Sequence, residues 1–322
     1  MANPSYSQLI TSTLHEQGSE ISDNVTNNIP FYYWLKENGR YVSKDGGYEI
    51  REPLWYDDNG TVKWYSYYDQ FDVTPQDVLT AAKYPWKQLG GSFTISGTEQ
   101  LINSGKNEKI SLVASGLDNL KKSLLNAMEA GLFSDGTADA GKQLDGMKAA
   151  IPTTTTAGTY GNISRSSFTF WQPLGRSSSS AGATRSAANI RSELDILLTP
   201  LARNKDKVDV GLMNDSDWNY LNQSFQPLQV MEGPKMAKGG FESIRYRGVE
   251  FVNCAGMGGS ITSTYNYLIN SDYFKLVYHR DCNMVPLEPE ERSNTNQHAT
   301  TRLIGWMGNI VCSGQKFHGI LY

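Results

Sequence analysis

The chain is poor in cysteine, histidine and charge. Its three cysteines, Cys254, Cys282 and Cys312, are an odd number, widely spaced and late in 322 residues. They read as reduced thiols rather than a disulfide framework, so glycosylation-pattern matches such as Asn24-Val-Thr26 and Asn162-Ile-Ser164 carry no weight. Charged residues make up 19%, below the usual ~25%, and the formal net charge is −4. With a pI near 5.7, no overall basic field draws the protein onto nucleic acid or an anionic membrane. No apolar run approaches the ~18 residues of a membrane span. The first residues, Met1-Ala-Asn-Pro-Ser-Tyr6, show no secretory pattern. Yet 39% hydrophobic and 11% aromatic residues are too many for a disordered chain.

Catalytic and ligand patterns are also scarce. Gly136-Thr-Ala-Asp-Ala-Gly141-Lys142 imitates a phosphate-binding loop, but Gln143 stands where the motif needs a hydroxyl for magnesium. A Gly-rich connector is expected there. His279-x-x-Cys282 has no second pair at zinc spacing, so it and Cys254, His298, Cys312 and His318 are expected at ordinary packed or surface positions. Glu288, Glu290 and Glu291 beside Pro286 and Pro289 form a solvated acidic loop more readily than a glycosidase pair. The Ser tracts contain no Gly-x-Ser-x-Gly elbow. These absences point to a protein that is not an enzyme and needs no cofactor or metal.

What is present is order. Residues 1–40 are polar without sustained period, ending in the aromatic knot Phe31-Tyr32-Tyr33-Trp34, and read as an extended arm with at most one short helix. Two β-rich runs, 47–56 and 61–73, flank Asn59-Gly60, the pair favoured in type I′ hairpin turns. A two-residue loop there sets Trp55 opposite Trp64 and Tyr56 opposite Lys63. Such a hairpin has no core of its own and needs a surface, with another subunit the candidate. With few basic residues among them, Trp55, Trp64, Tyr65, Tyr67 and Tyr68 suit interface packing better than base stacking.

Ser96-Gly-Thr-Glu99 fits a capping box opening a helix over 97–131, with Ile110, Val113, Leu117, Leu120, Leu124 and Met128 on one face. Gly105 and Gly116 inside it predict a bend or a break. The Thr- and Ser-rich stretch 153–185 reads as a crossing and loop region. Helices follow at about 186–203, with Ile190, Leu194, Leu197 and Leu201 on its face, and about 215–225 around Trp218 and Leu221. Strands follow at 247–254, 265–270, 273–280 and 302–322. The fold class is α+β.

This order of arm, hairpin, long helix, mixed domain and returning strands resembles the tailed-bacteriophage major capsid protein fold. Encapsulin shells and the herpesvirus capsid floor share that fold. Stretches similar to the family are Leu212-Met-Asn-Asp-Ser-Asp-Trp-Asn-Tyr-Leu221, Tyr246-Arg-Gly-Val-Glu-Phe-Val252, Tyr267-Leu-Ile-Asn270, Gly308-Asn-Ile-Val311 and Lys316-Phe-His-Gly319. The resemblance covers most of 31–322. It implies an N-terminal arm (1–40), an extended loop (41–75), and a peripheral domain (76–150) with spine helix 97–131. An axial domain (151–274) and strands returning to the peripheral domain (275–322) complete it.

The same resemblance implies a shell subunit that self-assembles into pentamers and hexamers of an icosahedral virion around double-stranded DNA. Its partners would be further copies, a portal protein, separate scaffolding and decoration proteins where needed, and the packaged DNA without sequence preference, with no membrane. Assembly in the host cytoplasm goes with this reading. Expected inter-subunit contacts are Phe31, Trp34, Trp55, Asn59, Gly60, Trp64 and Tyr67. Some relatives crosslink a hairpin Lys to a distant Asn. Lys63 lies near the tip here, but nothing marks an acid catalyst or acceptor. The competing readings are an encapsulin-like compartment and a carbohydrate-binding protein using the aromatic hairpin.

Overall fold

The computed structural model describes residues 25, 27–102, 112–177, 184–204, 206–225, 243–287, 292–293 and 298–322. In chain order, the first part carries α1 (Pro30–Glu37), β1 (Tyr41–Lys44), β2 (Ile50–Trp55), β3 (Leu79–Tyr84), β4 (Lys87–Ser96), α2 (Gly97–Ile102) and α3 (Leu112–Leu132). The middle carries α4 (Ala138–Gly141), α5 (Met147–Ala150), β5 (Thr159–Tyr160), β6 (Ile163–Ser164), β7 (Leu174–Arg176), α6 (Ile190–Leu198), β8 (Val210–Met213) and α7 (Asp215–Phe225). The last part is β9 (Ser243–Tyr246), β10 (Val249–Asn253), β11 (Asn266–Ile269), β12 (Phe274–Pro286), β13 (Arg292–Ser293), β14 (Ala299–Cys312) and β15 (Gly319–Leu321). The α+β expectation holds.

Two sheets organise these elements. In the first, β1, β12, β14 and β13 lie side by side, and β4 also pairs with β14. The β4–β14 ladder runs from Lys87 opposite Gly308 to Ser96 opposite Ala299. The long helix α3 lies on β4 where a glycine on each surface makes room for a side chain of the other. A Cβ on Gly91 would meet Leu120 at 2.5 Å, and one on Gly116 would meet the Phe93 ring at 2.1 Å. Gly116 therefore permits close approach within a helix that runs through it, where the sequence predicted a bend; Gly105 and Ile110 lie outside the described residues. At the start of α2, Glu99 accepts the Ser96 N–H at 3.2 Å and the Ser96 hydroxyl accepts the Thr98 N–H at 3.3 Å. This is the expected reciprocal cap, with the serine accepting from Thr98, one residue before the Glu99 position of the ideal box.

The second sheet has the order β7-β15-β11-β8-β10-β9, with β7–β15 and β8–β10 parallel. Side chains alternate across a sheet with period two, and here that alternation divides two cores. Val210, Leu212, Val252, Tyr267, Ile269 and Ile320 join a core shared with the first sheet and α1. Met213, Phe251, Leu268 and Leu321 face the other way, against Ile190, Leu194, Leu197 and Leu201 of the α6 segment and Trp218 and Leu221 of α7. Both predicted helices and their apolar faces are observed. β8 and β11 are covered on both sides, and every residue of each is buried, the polar Asn266 included.

The last strands divide between the sheets. β12 and β14 belong to the first, whereas β15 inserts between β7 and β11 of the second. The run expected over 302–322 is thus two strands, separated by a 3₁₀ turn at Gln315–Phe317.

The expected hairpin is corrected. β2 pairs with β3, setting Trp55 opposite Leu79 and Ile50 opposite Tyr84. Residues 61–73 form no strand, so the facing of Trp55 with Trp64 and Tyr56 with Lys63 does not occur. Neither Asn59 nor Gly60 has positive φ, which a type I′ turn requires at both centres. That geometry occurs instead at Arg247-Gly248 (φ 51° and 83°), the two-residue link between β9 and β10.

Candidate assembly surface

The loop between β2 and β3 is closed at its base and open everywhere else. The Tyr56 N–H donates to the Val78 carbonyl at 3.1 Å, and the Tyr56 ring sits 5.9 Å from Phe170 and 6.5 Å from Phe168. Beyond that closure the hydrogen bonds are local. Asn59 Oδ1 accepts from Thr61 N–H and hydroxyl, Asp72 Oδ1 from those of Thr74, and Asp69 Oδ2 from the Ser66 N–H. Hydrogen bonding to Thr74 lowers the Asp72 carboxyl, against a small opposing effect of burial. These are Asx and Ser/Thr turns, which give a loop shape without a core. A connection of this length without secondary structure is generally functional.

Its chemistry is aromatic and acidic. Trp64, Tyr67 and Tyr68 are fully exposed, Trp55 is 81% exposed, and Val62, Tyr65, Phe71 and Val73 are also open. Tyr65 and Phe71 touch each other, with ring centroids 4.7 Å apart. Residues 57–78 hold five aspartates and one lysine, a charge of −4. Three fully exposed aromatics leave roughly 500 Å² of surface in water, on the order of 10 kcal/mol of burial not realised by the isolated chain. Large aromatics concentrated on one open loop are of the kind an interaction site exposes.

Of the residues expected at subunit contacts, Trp55, Asn59, Gly60, Trp64 and Tyr67 lie on this loop or its stem. Phe31 and Trp34 do not join them. Phe31 is wholly buried, 5.7 Å from the Phe133 ring and 6.1 Å from the Phe274 ring, and Trp34 is 3% exposed. Phe31 and Trp34 form the inner face of α1 and belong to the chain's own core, with Tyr32 and Tyr33 partly buried against it.

Sequence reasoning missed what holds α1. This helix has Pro30 in its first turn, no side-chain cap at Ile29 and no acid in its first turn. Its free N–H groups are received from afar: Glu129 of α3 accepts from Phe31 at 3.1 Å and Tyr32 at 2.9 Å. One turn earlier, Asn126 accepts the Asn27 N–H at 3.0 Å and donates to the Val25 carbonyl at 2.6 Å. Glu129 is 1% exposed. The available clue was the uncapped Asn28-Ile29-Pro30 start, which leaves donors that a partner must satisfy.

The candidate chemical groups are arranged for packing. His318 and Cys312 are both fully buried, with Nε2 3.4 Å from Sγ. His318 Nδ1 accepts the Asn270 N–H at 3.2 Å, which places the ring proton on Nε2. Burial drives His318 down to about 3 and Cys312 up to about 12, so both stay neutral, the reverse of an activated thiolate–imidazolium pair. Gly136–Gln143 is a turned connector with Asp139, Ala140 and Gly141 at positive φ, and Lys87 Nζ donates to the Gly141 carbonyl at 2.6 Å. Glu288, Glu290 and Glu291 lie outside the described residues, as do 178–183 of the Ser-rich stretch. Among the described residues no group of three His, Cys, Asp or Glu is placed to hold a metal ion, and no helix is long and apolar enough to cross a membrane.

Solved capsid structures align with the chain almost end to end. The capsid subunit of Cyanophage A-1(L) matches with a TM-score of 0.69, at 16% identity over 97% of each chain. The capsid of the native GTA particle matches at 0.60, with 12% identity over 95% of this chain and 94% of that one. The capsid of Myoviridae Phage XM1 matches at 0.57, with 12% identity over 96% and 97%. The chain has the fold of these capsid subunits. Neither a protein-family model nor a curated protein matches the sequence significantly.

Proposed function

We propose that the protein is a major capsid protein, a structural subunit without catalytic activity that assembles into pentamers and hexamers of an icosahedral phage shell around double-stranded DNA. The observation that carries this reading is the aromatic, acidic loop 57–78, a surface useless to a solitary chain, on a fold shared end to end with capsid subunits. In this reading the first sheet with α3 is the peripheral domain, and the second sheet with α6 and α7 is the axial domain that meets its copies at the capsomer centre. The loop with Trp55, Asn59, Gly60, Trp64 and Tyr67 lies on the neighbouring subunit. A portal, separate scaffolding or decoration proteins and non-specific contact with DNA belong to the same reading. So do assembly in the host cytoplasm and a final place in the virion.

The test is negative-stain imaging of the purified chain, with and without its neighbouring gene products. Closed shells or rings of five and six are expected. A chain that stays monomeric in both preparations and whose tryptophan fluorescence responds to glycans would overturn the reading in favour of carbohydrate binding. Shells that co-purify with a single host enzyme would instead indicate a cargo compartment.

A further inference from the structure

We infer that the Glu129 carboxyl is a proton-controlled latch between α1 and α3, tighter when protonated than when ionised. The inference rests on the chain's own packing and is independent of the shell reading.

The geometry makes one carboxyl responsible for one helix end. Phe31 and Tyr32 N–H groups both point at Glu129, and no local side chain replaces it. The segment leading into α1 is clamped on both sides. Asn126 holds Val25 and Asn27, while the Asn28 N–H donates to the Met257 carbonyl at 2.9 Å and its side chain to the Asn253 carbonyl at 3.4 Å. On the far wall, a Cβ on Gly256 would lie 2.4 Å from Asn28 and one on Gly258 2.3 Å from Asn27. Residues 27–32 thus thread a slot between α3 and the 253–258 loop, and Glu129 closes its inner end.

Among the described residues, no Lys, Arg or His influences the Glu129 charge. Lys36 and Glu37 sit at the exposed far end of α1, and the Tyr32 hydroxyl engages Tyr41. The titratable group facing Glu129 from the β10 side is the fully buried Cys254 thiol, whose ionisation the carboxylate opposes. Burial outweighs the two N–H bonds and pushes the Glu129 carboxyl up to about 7. Opened to water, the group returns to its ordinary value of 4.5. Between these values the closed slot holds a proton that the open slot releases. Opening therefore becomes easier as pH rises from 4.5 to 7, by up to about tenfold per pH unit, and levels off above 7. A protonated carboxyl still offers a lone pair to each N–H, so closure survives protonation.

Cys254 is a built-in reporter of opening. The full-length chain and its Glu129→Gln variant are labelled with a maleimide at several pH values, and modification of Cys254 is followed by peptide mass spectrometry. The ratio of the two rates cancels the thiol's own pH dependence. It is expected to rise at least tenfold from about pH 5 to about pH 7.5 and then stay level; a ratio flat across that range overturns the latch. If Glu129→Gln does not fold, hydrogen exchange at the Phe31 and Tyr32 amides of the unaltered chain decides. After correction for intrinsic rates, protection is expected to fall over the same interval, and constant protection overturns the proposal.

Discussion

Single residues carry this fold where polar groups are buried. Arg165 is 3% exposed and donates to Gln315 Oε1 at 2.8 Å and to the Ala149 and Ala150 carbonyls at 2.6 and 3.0 Å, closing the C-terminal end of α5. Arg165→Ala leaves those acceptors unpaired in a dry site and is expected to cost about 3 kcal/mol in urea unfolding of the dissociated subunit. Lysine cannot restore the fork. Gly146 is as constrained: an added Cβ would lie 2.5 to 2.7 Å from backbone atoms of Gly131, Leu132 and Ser134. Gly146→Ala is expected to cost roughly 2–4 kcal/mol by the same measurement, because no flexible side chain can yield. His318 gives a pH effect of the opposite sign to Glu129. Its folded state resists protonation down to about 3, so stability falls with pH below 6.5, by up to about 1.4 kcal/mol per unit. His318→Gln is expected to flatten that acid limb in urea titrations between about pH 6.5 and 5.

At the scale of elements, legibility followed the range of the interactions. α6 and α7 were readable because Ile190, Leu194 and Leu197, and Trp218 and Leu221, recur at helical spacing against a continuous core. β11 was readable as the run 265–270, whereas β8 went unread, since no strand was expected at 210–213. The β2 partner was not readable, because Asn59-Gly60 is a local signal and the true partner begins at Leu79, beyond a loop that closes only at Tyr56 and Val78. Glu129 was unreadable for the same reason: its role depends on α1, almost a hundred residues earlier, meeting α3 in space. The loop's exposed aromatics were named from sequence, whereas Phe31 and Trp34 were misassigned because an aromatic knot looks the same whether it faces a neighbour or its own core. Replacing 57–77 by a short Gly-rich link between Tyr56 and Val78 tests the division of labour. The subunit is expected to keep its unfolding midpoint within experimental error, since among the described residues the hydrogen bonds of that segment run within it. Trp64→Ala and Tyr67→Ala are likewise expected to leave the subunit unchanged while weakening association by about 2 kcal/mol each in dissociation titrations of the assembled particle.

At the scale of the molecule, residues of both sheets meet in one core, and the loop 57–78 extends from that body without a core of its own. A packed body with one exposed aromatic loop suits assembly, in which each copy buries what another exposes. Sedimentation velocity on the full chain beside the 57–77 replacement tests this most directly. The account predicts that the full chain, with its neighbouring gene products where it needs them, sediments as rings or shells while the replacement remains a folded single subunit. Shells of normal size formed by the replacement would contradict it.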